Sequence, residues 1–277
     1  NHIHQKADLT IATIPVGERE APEFGILKTN ETKVITSFIE KPAKEILPQW
    51  ESDTGPEMQT QGRNYLASMG IYVFNRSLLF DELQNEYKEA KDFGKEIIPQ
   101  SIHKHKVISY QYDGYWTDIG NIYSFFEANL ALTQDIPPFN LFDNNKMVYS
   151  RARMLPPAKI SGSNLNNTLL AEGSIIKAEK ISNSVIGIRS RIGTGTIIEG
   201  CYLMGSDFYE TLEEIAHNFK NNIPPVGIGD NCHLKNVIVD KGCRIGNNVI
   251  IKGGNHLADN DHAIYAVKDG IVVIKKH

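Results

Sequence analysis

Four places in this 277-residue chain carry residue types that could act on a phosphorylated ligand. Glu40-Lys41 is followed at once by Pro42. Lysine is a compact cation on a flexible stem and suits a phosphate. Glu40 could accept hydrogen bonds from sugar hydroxyls, although a solvated pair at a loop edge is the commoner fate of such a dipeptide. The run YLASMGIYVF, Tyr65–Phe74, places Ser68 and Gly70 inside an apolar segment, which marks either tight packing or room for a ligand. Gly25, in FGILK, is either a bulge, the favoured reading, or a point where something approaches the backbone closely. Asp118 follows Trp116 and Thr117 where a strand hands over to a helix. It reads first as a helix N-cap. The sharper alternative is a ligand for a hard divalent ion beside a phosphate.

The elements that must hold these residues can be read from pattern. Leu9 to Pro15 is a strand, and Phe24 to Lys28 a second. Val34 to Ile39 is a third, stopped by Pro42, which cannot continue a ladder. Lys41 then sits at a strand's carboxyl end, where open α/β sheets bind ligands. Lys44 to Gly62 is a long polar excursion. Tyr65–Phe74 is apolar almost throughout, as in a strand buried on both faces. Ser77 opens a helix running to about Tyr87, and Asp92 caps a short helix, Lys95 to Ile98, before Pro99. Asp92-Phe93-Gly94 is no kinase element, since the chain has neither an H-R-D loop nor a Gly-rich loop. The stretch Tyr110 to Leu132 organises this part of the chain. It holds an aromatic strand with Tyr110, Tyr112 and Tyr115, a turn at Asp113-Gly114, and a helix with Ile122, Phe125, Phe126, Asn129 and Leu130 on one face.

Beyond residue 159 the period changes. Aliphatic residues recur every six positions at Ile186, Ile192, Ile198 and Met204, and resume at Ile228 and Leu234, then at Val239, Ile245 and Ile251. Gly often follows them, as in Ile186-Gly187, Ile192-Gly193, Ile228-Gly229 and Ile245-Gly246. This hexapeptide period predicts a parallel β-helix of roughly 18 residues per coil, each aliphatic pointing inward. Phe208 to Pro225 breaks the period, and its Leu212, Ile215, Ala216 and Phe219 mark one helix face. The expected division is therefore a first domain over 1–135, a linker with four prolines over 136–158, and a β-helix over 159–277 with a helical insertion at about 208–225. The open end of such a helix is an edge that must be covered, which favours a domain contact or an oligomer.

Bulk properties narrow the function classes. The chain is 41% hydrophobic and 22% charged, an ordinary globular composition. With 29 basic and 33 acidic residues the net charge is −4, so no basic field invites nucleic acid. No apolar run approaches the ~20 residues that span a bilayer. Three cysteines, Cys201, Cys232 and Cys243, without metal-like spacing fit a reducing cytoplasm. The opening NHIHQKADLT lacks a Met and a signal-peptide pattern and enters a strand almost at once, which leads us to expect a chain cut inside a domain.

Taken together, FIEKP, YLASMGIYVF, DFGKEIIP, YDGYWTDIG, LPPAK, LMGSDFYE and PVGIGDNCHLKN resemble the glucose-1-phosphate adenylyltransferase (ADP-glucose pyrophosphorylase) family of bacterial type, over essentially the whole chain. The resemblance implies a Rossmann-like nucleotidyltransferase domain followed by a left-handed β-helix, α/β plus β. It implies transfer of an adenylyl group from ATP to glucose 1-phosphate, giving ADP-glucose and pyrophosphate for glycogen synthesis in the cytoplasm. It further implies that Gly25, Glu40, Lys41 and Ser68 contact glucose 1-phosphate and that Asp118 binds Mg²⁺ with a second Asp. No residue need act as a covalent nucleophile. Members are usually homotetramers tuned by metabolites, and Arg189, Arg191, Lys268 and Lys275 are candidates for anionic effectors, with solvated surface charge at least an equal alternative for each. The family's Gly-rich nucleotide loop and its other metal Asp do not occur in this sequence. The expectation is that the chain holds the sugar half of the site, covers the last two-thirds of the enzyme, and is inactive alone.

Two other readings compete. A hexapeptide acyltransferase would need a catalytic His between coils, for which His233 and His256 are available, but it leaves the aromatic first part without a role. A non-catalytic regulatory and assembly homologue of the same family would be expected to lose site residues, whereas Glu40, Lys41, Ser68 and Asp118 all fit the motif.

Overall fold

The structure, a computed structural model, describes residues 1–276. The chain divides into two compact units between Trp116 and Thr117. In the first, β1 (Leu9–Val16), β2 (Gly25–Thr29), β3 (Ile35–Glu40), β4 (Tyr65–Phe74) and β5 (Val107–Gln111) form one sheet in the order β3-β2-β4-β1-β5. Only β1 and β5 run parallel; the other pairs are antiparallel. One face carries Leu9, Ile11, Leu27, Ile35 and Val107 against Ile98 of a helix. The other carries Ile14, Val16, Ile26 and Ala67 against Leu47. Leu47 belongs to a 3₁₀ turn, Lys44–Trp50, which anchors the polar excursion; a short helix α1, Pro56–Thr60, follows it.

Three local expectations are corrected here. The β2–β3 irregularity falls between Lys28 and Thr29, so Gly25 sits in regular register rather than in a bulge. β4 is buried only over Tyr65–Ala67, because β2 pairs with it only at Leu66 and Ala67; past that point β4 has β1 alone, and Ile71 and Val73 are exposed. The helical stretch after α2 (Arg76–Asp81) does not stop at Pro99. A wide turn at Phe93–Ile97 leads into α3, Ile98–Lys104, with Pro99 in its first turn, where no N–H is needed. Asp92 does cap this segment, accepting from the Lys95 N–H at 3.0 Å.

The second unit starts with α4, Ile122–Ala131, and continues as the β-helix. Ile122, Phe125, Phe126 and Leu130 of α4 lie on the outer surface of the coils, against Tyr202, Met204, Ile238, Ile271 and Val273. The Phe125 and Tyr202 rings meet edge to face at 5.2 Å. The helix read as the end of the first domain thus shares its apolar face with the second.

The coils stack in parallel. Ile176, Ile192, Ile228 and Ile245 form one inward column, and Ile181, Ile198, Leu234 and Ile251 another. The third column is Ile186, Leu203, Val239 and Ile274. Met204, expected to point inward, instead faces α4, because the corner at Gly200-Cys201 closes one residue early and hands the inward position to Leu203. From Ile228 to its partner Ile245, a coil is one residue shorter than three full hexads. Cys201, Cys232 and Cys243 are buried thiols within the coils. Burial pushes Cys201 up to about 12 and Cys243 to about 11, so neither is a nucleophile near neutrality.

The insertion folds as α5, Leu212–Lys220, closed by a capping box between Thr211 and Glu214. Its stem is held by Glu210, whose side chain is only 2% exposed and accepts from the Val226 N–H at 2.7 Å, from Asn218 at 2.8 Å and from Arg244 at 2.6 Å. The apolar face of α5 is not packed as its pattern suggests: Leu212 is 85% and Phe219 84% exposed.

Candidate functional site

The candidate residues Gly25, Glu40 and Ser68 of the first unit lie in a row across its sheet. Gly25 pairs with Glu40 across β2 and β3. Continuing the β2–β4 register one step beyond Ile26 and Ala67 brings Gly25 beside Ser68. Ser68 pairs with Thr13, and Thr13 with Gln111. Directly opposed residues share a face of a sheet, so Glu40, Gly25, Ser68 and Thr13 look the same way. Thr13 closes the inner end of the row with a 2.7 Å hydrogen bond to Ser109.

Gly25 is buried and has no room for a side chain. A Cβ there would lie 2.5 Å from the Phe38 ring and 2.8 Å from Oε2 of Glu40. The same carboxylate oxygen would lie 3.1 Å from a Cβ on Gly94. Oε2 of Glu40 thus lies beside two glycines, Gly25 and Gly94, at either of which a side chain would crowd it. The close approach at Gly25, the second of the two sequence readings, is the one the packing supports.

Ser68 sits at a break in β4. Between Ser68 and Tyr72 the register with β1 slips, leaving Met69, Gly70 and Ile71 unpaired, and Gly70 adopts φ 70°. The Gly70 N–H donates to Oγ of Ser68 at 3.3 Å. Bulges of this kind re-aim side chains beside sites, and on this one the Tyr72 phenol lies near enough to Ser68 to feel its hydroxyl. Burial pushes that phenol above its ordinary value; the Ser68 hydrogen bond opposes the shift, and the charges of Glu40 and Asp92 add to it. Tyr72 stacks on Phe93 at 6.0 Å. Tyr72, Asp92 and Gly94 therefore belong to the same neighbourhood, and none was singled out as a site residue from sequence. The one available signal was the position of Tyr72, four residues after Ser68 on the same strand.

Lys41 is exposed, with φ 48°, and its N–H is tied to the Phe24 carbonyl at 2.9 Å. Its ammonium has no acidic partner among the described residues. The strand that delivers it runs antiparallel to its neighbour, so the rule for carboxyl ends of parallel strands does not apply; Lys41 is placed by the turn after edge strand β3.

Asp118 belongs to the second unit. It is not the cap of α4: Asn121 holds that position, accepting from the Ser124 N–H at 2.8 Å. Asp118 is exposed and bends toward Gly120, where a Cβ would lie 2.9 Å from Oδ2. Among the described residues no group of three or more His, Cys, Asp and Glu could hold a metal ion. Mg²⁺ ordinarily takes one or two carboxylates together with phosphates and water, so Asp118 fits as one donor to such an ion and not as a complete site.

The effector candidates fall into two groups. Arg189 and Arg191 line one small cavity; Arg189 also lies over the Tyr209 ring at 5.6 Å and donates to the Ser206 carbonyl. Lys268 is paired with Asp259 at 3.3 Å, and Lys275 with Asp261. His233, which an acyltransferase would need, is bonded to Glu199 at 3.0 Å on the outer surface of the coils, with Lys180 on the same carboxylate. Among the described residues no helix is long and apolar enough to cross a membrane.

Residues 1–135 match the family model of nucleotidyl transferases, and residues 153–277 match that of the GLGC left-handed parallel β-helix domain. Fold and family matches thus define a nucleotidyltransferase domain joined to a left-handed β-helix. That pairing is the one found in glucose-1-phosphate adenylyltransferase-type proteins, and the chain belongs to this family.

Proposed function

We propose that the row Glu40, Gly25, Ser68, with Lys41 beside it, binds glucose 1-phosphate for adenylyl transfer from ATP. An oxygen of the sugar phosphate attacks the α-phosphorus of ATP, the bond between the α-phosphorus and the bridging oxygen breaks, and pyrophosphate leaves with that oxygen, giving ADP-glucose. The observation that carries this reading is Gly25 opposite Glu40, which sets a carboxylate acceptor beside a position that has no room for a side chain. Lys41, an exposed cation without an acidic partner among the described residues, is free to neutralise the sugar phosphate. Ser68 and the neutral Tyr72 phenol add hydroxyl donors. Catalysis of this kind works through positioning and charge neutralisation, without a covalent intermediate on the protein. Mg²⁺, held in part by Asp118, would supply further charge neutralisation at the phosphates.

The 277 residues contain no Gly-rich nucleotide loop, so by themselves they are proposed to bind the sugar phosphate without turning it over. A cytoplasmic role in glycogen synthesis, homotetramer formation and tuning by anionic effectors belong to the same proposal. The test is pyrophosphate release with ATP, glucose 1-phosphate and Mg²⁺, by this chain alone and by the chain joined to a Gly-rich nucleotide-binding segment of the family. Release only by the joined protein supports the reading. Release by neither favours a regulatory homologue, and release by the chain alone overturns the division of the site.

A further inference from the structure

Two glutamates are buried to the same degree and provided for differently. The side chains of Glu82 and Glu210 are each only 2% exposed. Glu210 has three donors, one of them the permanently charged Arg244. Glu82 has one hydrogen bond, from the Ser101 hydroxyl to Oε1 at 2.9 Å, and the Ile97 carbonyl at 3.0 Å competes for that hydroxyl's single proton. Oε2 of Glu82 is buried without a hydrogen-bond partner among the described residues, and so is the Tyr87 hydroxyl. The cation that faces Glu82 is His105, whose Nε2 lies 3.4 Å from Oε1 and whose side chain is 25% exposed. Lys104, the other cation on this side, lies over the Tyr87 ring at 5.7 Å. Burial, aided by the Glu82 charge, pushes the Tyr87 phenol above its ordinary value. A buried carboxylate is costly unless it is paired, and Glu82 is paired with a group that can lose its charge.

Glu82 and Ser101 stand 19 residues apart and close the base of the segment that joins α2 to α3. That segment is tied within itself: Glu96 accepts from the Lys91 and Asp92 N–H groups at 3.0 Å each, and Asp92 accepts from the Lys95 N–H. Its far end reaches the candidate site, where Phe93 stacks on Tyr72 and Gly94 lies beside Oε2 of Glu40. We propose that Glu82, Ser101 and His105 form a proton-dependent clasp that positions Asp92–Gly94 against Glu40 and Tyr72, so that the site holds its ligand more tightly when His105 carries a proton. This rests on the sugar-phosphate reading of that site, and the three residues position others without touching the ligand. The sign follows from the pair. A protonated His105 gives the buried carboxylate its counter-charge. A neutral imidazole leaves that charge to Ser101 alone, and the clasp loosens. Histidine changes charge between about pH 5 and 8, so the clasp is closed at the low end of that range and open at the high end.

The test compares the 277-residue wild type with His105→Gln at about pH 6.5 and about pH 8, the two sides of histidine's range. Calorimetric titration gives the ratio of their glucose 1-phosphate affinities, and hydrogen exchange gives the ratio of protection at the Lys91, Asp92 and Lys95 amides. Taking ratios cancels the titration of the ligand's own phosphate, which both proteins share. Both ratios are expected to favour the wild type by about fivefold at the lower pH and to fall toward one at the higher. His105→Arg, a permanent cation at a partly exposed position, is expected to keep the low-pH behaviour at both. In Glu82→Gln, replacing His105 as well should change nothing further. Ratios that are the same at both pH values, or a His105→Arg variant as weak as His105→Gln, overturn the clasp. Protection that follows the expected ratios in a chain that binds no glucose 1-phosphate supports the clasp and counts against the sugar-phosphate reading. Binding that is present, with protection and affinity unmoved by His105→Gln, upholds that reading and overturns the clasp.

Discussion

Glu40 and Gly25 face each other across β2 and β3, and the carboxylate occupies the space a side chain at Gly25 would need. Gly25 lies at no strained backbone angle, so its requirement for glycine is one of volume. Gly25→Ala must push either the Phe38 ring or Glu40 aside. The expected cost is about 1–3 kcal/mol, as for other overpacked positions, and sugar-phosphate binding should fall with it. Urea denaturation and calorimetric titration with glucose 1-phosphate measure the two effects.

Asn121, and not Asp118, caps α4. Asn121→Ala should cost about 1 kcal/mol of stability in the second unit, the usual worth of a side-chain N-cap. Asp118→Ala should leave stability within about 0.5 kcal/mol, as surface changes do, and should abolish turnover in a catalytically complete protein. The opposite pattern in thermal melts would restore Asp118 to the cap.

Lys41 has a left-handed backbone, which glycine adopts without strain. Lys41→Gly is therefore expected to fold at least as stably as the wild type. Losing a charge-assisted contact of about 1.5–3 kcal/mol should weaken glucose 1-phosphate about ten- to hundred-fold. Lys41→Ala should lose binding alike but carry the backbone strain, so the pair divides charge from conformation.

Glu210 gives the insertion a pH dependence of known sign. Its burial works to raise the carboxyl, but the Val226 N–H and the Arg244 guanidinium outweigh burial and hold it below the usual carboxylate value. A depressed folded value means that its stabilisation is complete above the unfolded value, near 4.5, and fades as the pH falls through the folded one. Glu210→Gln should cost about 1–3 kcal/mol at neutral pH. The gap from the wild type should narrow on acidification below about pH 4.5, in denaturation curves taken at each pH.

Much of this was legible in the chain. The β-helix announced itself because its inward columns repeat, and a repeat is visible without partners. Strands β1 to β3 were bounded by proline and glycine. The helix of Ile122, Phe125 and Phe126 was found, but what it packs on was not, since an apolar face does not name its partner. Met204 was misplaced because a coil corner that closes one residue early shifts the column without changing composition. Asp118 was favoured as a cap because Asp and Asn are equally good caps, and three positions of chain were enough to choose wrongly. Glu40, Lys41 and Ser68 are candidates that motif alone names; the tight packing at Gly25 needed the distance to Glu40, and Tyr72 needed the bulge at Gly70, which no periodicity predicts.

The central claim is that these residues hold a sugar phosphate. Calorimetric titration of the 277-residue chain with glucose 1-phosphate tests it most directly, without requiring turnover. We expect one saturable site that is weakened about tenfold or more in Lys41→Ala. No binding, or binding that Lys41→Ala leaves unchanged, would contradict the account.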